Sequence, residues 1–358
     1  MKALIILADN VYLTPYLQFY KSILDKQKID HDIVYWDKNN NEDINDFQFF
    51  RFVYEGKGKI GKVFGYFRYR KFIISLIKKQ QYDFLIPLHA IIYLLLFNLL
   101  NQKYKKRYIF DVRDYSYEKI SVYKWMQKKL VSNSIINIIS SKGYEEFLPK
   151  SEYFVTHNIP YGNYEKYKQL ENTKNEVIQI SYIGLIRFME QNKKILFYFK
   201  NDNRFHLNFI GTNAKQLEEF CLENSIRNVT LIDTFDSKKT LEFYKKTDLI
   251  MNLYGNHTPL LDYALSNKLY YAACLYKPIL VCEDTYMEKI SMEYNIGYTL
   301  KMKNDEEKDK LYSYITQLDR KKLIENCDKF MKDVYEDKNI LEKIMLKRIQ
   351  EIKDKVKS

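Results

Sequence analysis

Ser266, Asn267 and Lys268 stand at the head of an apolar helical run and offer the most specific chemistry in the chain. Ser266 is a good N-cap, which would leave the amides of Asn267, Lys268 and Leu269 at a helix N-terminus, where peptide dipoles favour an anion. Lys268 adds a cation there, so a diphosphate fits; the plainer alternative is an ordinary capped helix with a surface lysine. Gly184 follows an apolar strand and lets a phosphate approach the backbone. Arg187 supplies a planar fork able to neutralise a leaving diphosphate, a role that Lys193 or Lys194 can share, unless all three are surface cations.

Asp111, Arg113 and Asp114 end another strand, with 111 and 113 on one face and 114 at the turn. Two carboxylates around a guanidinium are either a structural ion-pair set or a polar site at a strand end in which Asp114 can serve as a general base. His157 and Asn158 enter a turn-rich stretch, Asn158-Ile-Pro-Tyr161-Gly, and are hinge or acceptor candidates together with Asp9 and Asn10 past the first strand. His257 follows a further strand end, beside the Ser266 turn.

Strands must place these residues. Residues 3–8, 31–36, 82–89, 107–114, 135–140 and 153–157 read as strands and alternate with helical patterns at 13–27, 90–101, 118–130 and 142–148. The pattern restarts with strands at 177–183, 206–210, 229–232, 248–253 and 278–282, with helices between them. Such alternation predicts an α/β protein with parallel sheets covered on both faces. Ligands bind such sheets beyond the carboxyl ends of the strands, which is where every candidate above lies. From about 304 onward the periodicity is helical, and Ile340, Ile344, Leu346, Ile349 and Ile352 form an apolar stripe.

The chain has 358 residues, enough for two cores, with 46% hydrophobic and 29% charged residues spread throughout. The domains are expected at 1–160, 161–335 and, as a closing helix packing back toward the first domain, 336–358. Cys221, Cys274, Cys282 and Cys327 form no CxxC pair and read as buried thiols in a reducing compartment. The N-terminal apolar run is too short for a signal peptide, and the longest apolar run, 90–100, is too short to span a bilayer, which needs about 20 residues.

The net charge of +12 is concentrated: residues 51–150 hold 20 Lys/Arg against 7 Asp/Glu. Within it, Lys57, Lys59, Lys62, Arg68, Arg70, Lys71, Lys78 and Lys79 interleave with Phe64, Tyr66, Phe67, Tyr69 and Phe72. An anionic membrane surface suits residues 51–107. A solvated face of a Lys-rich protein is the plain alternative; nucleic acid rests on charge alone and is not expected as a partner.

Five stretches resemble GT-B glycosyltransferases, of the kind grouped with family 4 that build bacterial capsular and surface polysaccharides: 109–115, 156–160, 182–187, 247–254 and 265–281. The resemblance implies two doubly wound Rossmann-like domains facing across a cleft, with C-terminal helices packing on both. It implies a cytoplasmic, peripheral membrane enzyme moving a sugar from a nucleotide diphosphate sugar to a saccharide or lipid-linked acceptor, with Asp114 facing the sugar or the acceptor hydroxyl. If such a reaction inverts the anomeric centre it needs a general base, for which Asp114 is the first candidate; if it retains, the leaving phosphate can accept the proton. No cofactor is expected, and no metal, since no DxD motif stands at a strand end. Two departures are visible. The family's arginine directly follows the glycine, whereas Arg187 comes three residues after Gly184. The family's two donor-binding glutamates fall on Tyr263 and Tyr271, with Asp262 the nearby acid. These departures keep a non-catalytic scaffold of the same fold open as the alternative.

Overall fold

Short runs rich in Val, Ile, Leu and Phe become strands, several of them buried along their length even where a polar residue interrupts them, as Asp111 does in Ile109–Val112 and Asn137 in Ile136–Ile139. The computed structural model describes residues 1–56, 58–160, 162–171 and 176–357; Lys57 and Tyr161 therefore lie outside the described residues. The chain divides into two compact units, Met1–His157 with Glu336–Ser358, and Asn158–Tyr335.

In the first unit, β1 (Lys2–Ile6), β2 (Asp30–Trp36), β3 (Phe49–Phe52) and β4 (Phe84–Pro87) are parallel in the order β3-β2-β1-β4. The strands β5 (Ile109–Val112), β6 (Ile136–Ile139) and β7 (Phe154–Val155) continue in sequence order. A parallel bridge between Leu85 and Tyr108 joins the two sets. One face packs Ala3, Ile5 and Leu7 against Tyr20, Ile23 and Leu24 of the helix Leu17–Lys26 and against Leu341, Met345, Ile349 and Ile352 from the end of the chain. The helix Gly58–Gln80 buries Gly65, Tyr69, Ile73, Leu76 and Ile77.

In the second unit, β8 (Ile178–Ile183), β9 (Phe205–Ile210), β10 (Val229–Ile232), β11 (Leu249–Asn252), β12 (Ile279–Val281) and β13 (Gly297–Thr299) form a parallel sheet in the order β10-β9-β8-β11-β12-β13. The order reverses between β8 and β11, which makes their carboxyl ends the switch point where such sheets bind ligands. Separate apolar clusters cover the two faces.

Several elements differ from expectation. The helix expected over 90–101 is two short ones, Ala90–Leu95 and Phe97–Asn101, because Arg70 Nε takes the Leu95 carbonyl (2.7 Å). In the closing stripe Ile340 is exposed, and Leu341 and Met345 are the buried positions, set by a spacing of four from Ile349. β3 and β13 fall outside the expected strands: both are edge strands of three or four residues, and sheet pairing defines them. All four cysteines are free and buried. No described helix is long and apolar enough to cross a membrane.

Candidate functional site

At the switch point of the second unit, Gly184 leaves β8 with φ +121°, and nothing lies within 4 Å of where a side chain would begin. Gly211, at the end of β9, fixes that opening: a Cβ there would stand 1.9 Å from the Gly184 carbonyl oxygen, so only glycine lets the two loops touch. The Tyr182 hydroxyl donates to the Leu185 carbonyl (3.0 Å) and accepts the Arg187 amide (3.2 Å), which shapes the turn and leaves Arg187 exposed. Lys193 is drawn instead to Glu190 (2.9 Å).

Ser266 caps the helix Asn267–Leu275, its Oγ accepting the Lys268 amide (3.3 Å) while its carbonyl accepts that of Leu269 (3.1 Å). Two of the amides expected for a ligand are thus taken by Ser266. Lys268 differs more: it is buried, not on the surface. Its ammonium lies 4.5 Å from the centre of the Tyr182 ring and donates to the Tyr254 hydroxyl (2.7 Å). No carboxylate among the described residues lies within ion-pair distance of it. Burial, reinforced by the nearby positive charge of Arg187, pushes the ammonium down to about 8. The contrast with Lys277 is informative, because that buried lysine is satisfied by the Gln169 side chain and the Thr247 carbonyl, each at 2.6 Å.

Gly255 (φ +101°) and His257 (φ +61°) form the turn after β11. His257 is exposed and acts electrostatically on Glu283, which Lys301 principally holds (2.8 Å) below the usual carboxylate range. Asp262 ends a short helix with Oδ1 buried and no hydrogen-bond partner among the described residues. Tyr271 stacks on Tyr244 with ring centres 4.7 Å apart.

In the first unit, Asp111 is sealed from solvent. Its Oδ2 accepts from the Tyr20 hydroxyl (2.6 Å) and Arg113 Nε (2.9 Å). Burial opposes the charge of Arg113, but Asp111 keeps it firmly protonated. The guanidinium lies 4.2 Å from the centre of the Tyr16 ring. Asp114 is exposed. His89, expected as the last residue of a strand over 82–89, lies beyond β4 and completes the cluster. Its Nδ1 accepts the Ala8 amide (3.3 Å), which puts its proton on Nε2, 3.1 Å from the Tyr16 hydroxyl. Burial holds this imidazole below its ordinary pKa, and its φ of +81° is strained. A histidine past a strand end was the available signal.

Asp9 and Asn10 belong to a different arrangement. Asn10 is wholly buried and donates to Asp37 Oδ1 (2.6 Å), and Asp9 pairs with Lys38 (2.7 Å). Glu42 caps the turn after β1 by accepting the Val11 and Tyr12 amides (2.7 and 3.0 Å). His157 faces Asp337 (3.1 Å) on the closing helix, and Asn158 begins the second unit. Among the described residues, no group of three or more His, Cys, Asp or Glu could hold a metal ion.

No protein-family model matches the chain. No curated protein sequence matches it either. Solved structures do: sucrose-phosphate synthase from Thermosynechococcus elongatus has 10% identity and a TM-score of 0.68, covering 99% of each chain. The lipopolysaccharide outer core galactosyltransferase WaaB has 11% identity and a TM-score of 0.64, covering 98% of this chain and 99% of that one. Anabaena HepE, solved with UDP, has 10% identity and a TM-score of 0.65, covering 97% of this chain and 100% of that one. With its parallel sheets, the chain has the GT-B glycosyltransferase fold.

Proposed function

We propose that the chain is a glycosyltransferase that moves a sugar from a nucleotide diphosphate to a saccharide or lipid-linked acceptor in bacterial surface polysaccharide synthesis. The observation that carries it is Lys268: a buried ammonium with no carboxylate partner among the described residues, beside exposed Arg187 and open Gly184 at the switch point. A cation held in this way at the cost of burial gains most from a dianionic ligand, and a pyrophosphate supplies one. Charge on the leaving diphosphate falls to Lys268 and Arg187 without a metal. The bond from the anomeric carbon to the diphosphate oxygen breaks as the acceptor oxygen bonds that carbon. The acceptor proton goes to Asp114 if the centre inverts and to the leaving phosphate if it is retained. Asp111 orients Arg113 from beneath. Asp262, whose Oδ1 has no partner among the described residues, takes over a donor-sugar contact where the resembled family has glutamate. A lipid-linked acceptor places the enzyme at the inner face of the cell membrane, reached through the cations of residues 51–107.

A thermal-shift series tests this. UDP, GDP, ADP, TDP and CMP are added in turn, with UDP first because HepE binds it. At least one is expected to raise the melting temperature, and Lys268→Ala and Arg187→Ala to weaken that rise. No response to any of the five would overturn the proposal. The scaffold alternative is favoured by Tyr271, packed on Tyr244 where a donor-binding glutamate would stand. Turnover of any sugar nucleotide above hydrolysis, with a lipid extract as acceptor, excludes it.

A further inference from the structure

The helix Gly58–Gln80 carries two apolar faces. Its buried face packs on β2, and Gly65 fixes the contact, since a Cβ there would meet the Trp36 ring at 2.4 Å. On the opposite side Ile60, Val63, Phe64 and Phe67 are 76%, 54%, 59% and 59% exposed. Their spacing, i, i+3, i+4, i+7, is that of a continuous stripe, here with none of the described residues covering it. A solvated helix would place polar residues there. The same line continues into Lys71 and Lys78, and the helix holds seven cations and no carboxylate. Among the described residues, Lys59, Lys62, Lys71, Lys78 and Lys79 make no ion pair.

A second exposed apolar group adjoins it. Arg70 is bonded to the Leu95 carbonyl, the next turn begins at Phe97, and Phe97 packs on Trp125 (5.6 Å between ring centres). Trp125 and Val122 are 57% and 67% exposed on the helix Ser121–Asn133.

We infer that the first half of Gly58–Gln80 lies in the interface of an anionic bilayer, with Phe64 and Phe67 seated among the acyl chains and the lysines along the helix on the phosphate headgroups. Apolar residues on one line with cations and no acids match that surface, where insertion and charge attraction add. A second copy of the chain would instead bring two like-charged helices together. The inference deepens the membrane contact proposed above, rests on it, and is independent of sugar transfer.

Flotation of the full chain with phosphatidylcholine vesicles, with and without phosphatidylglycerol, tests it. Binding should need the anionic lipid. Phe64→Ser with Phe67→Ser should lower the bound fraction about ten-fold with unchanged melting and an unchanged nucleotide response, which separates failure here from failure of the transferase reading. Lys71→Gln with Lys78→Gln and Lys79→Gln should also weaken binding and leave the residue insensitive to salt. Trp36 is 3% exposed, so quenching by brominated lipid would report Trp125. Full flotation of the Phe64/Phe67 variant, or loss of self-association in that variant with flotation intact, would overturn the inference and make the stripe an interface between copies.

Discussion

Replacing Lys268 by Met probes the cation cluster of the second unit most directly. Burial holds the ammonium at about 8 against an ordinary 10.5. Each pKa unit is worth about 1.4 kcal/mol, so keeping the charge inside the folded unit costs roughly 3 kcal/mol. Met preserves most of the stem but gives up the hydrogen bond to Tyr254, about 1 kcal/mol. The variant is therefore expected to be more stable at neutral pH by about 2 kcal/mol, roughly 5 °C in melting temperature. The folded-state pKa lies below the unfolded one, so the cost is complete below pH 8 and gone above 10.5. Wild-type stability should accordingly rise relative to Lys268→Met as pH climbs through that window, while the response to a nucleoside diphosphate should be largely lost in the variant. Urea unfolding from pH 7 to about pH 10, repeated with UDP, reads both. A variant less stable at pH 7, or a gap that does not change with pH, would refute the burial argument. A variant with the full UDP response would refute the anion site.

Asp111→Asn should lower stability by about 2–4 kcal/mol in urea unfolding, because it strips the charge from the carboxylate that holds buried Arg113. Asp114→Asn should leave stability within about 0.5 kcal/mol and the nucleotide response intact, yet lower turnover about 100-fold or more if the reaction inverts. Gly211→Ala should cost about 3 kcal/mol or more by thermal unfolding, since the added carbon meets the Gly184 carbonyl at a residue with φ +135°. Burial alone would raise the Asp37 pKa, but the Glu42 amide, Arg51 and Asn10 hold it at about 2. Its folded-state pKa is depressed, so the stability it contributes is present above pH 3.8 and drains away toward pH 2; Asp37→Asn should flatten that acid limb in a pH titration of unfolding.

The α/β alternation was legible because short β-branched and apolar runs, bounded by turn residues, recur between segments of helical period, although a short apolar run alone does not decide it: Ala90–Leu95 is one and is helical. Ser266 was legible as a cap for the same local reason. The state of Lys268 was not, since its burial depends on Tyr182 and Tyr254, which end two other strands and meet only when β8 and β11 lie side by side. Gly211 was hidden likewise: a glycine after a strand is common, and its necessity comes from the Gly184 carbonyl across the sheet. The burial of Asp111 follows from Tyr20 on a distant helix, which separates it from Asp114 although the two are three residues apart. On the helix 58–80, charge was counted readily, but which side faced water required Trp36 and Gly65.

The closing helix Arg320–Lys357 gives Leu323, Cys327 and Phe330 to one core and Leu341, Met345 and Ile349 to the other. The first unit is thus made from two pieces of chain with a complete α/β unit inserted between them. During synthesis its strands emerge first, and the helix Leu17–Lys26 alone covers that apolar face until the segment after Glu336 has been made. A chain truncated before Glu336 would offer the rest of that face to chaperones although its second unit was whole, so the first unit to be translated is the last to be completed.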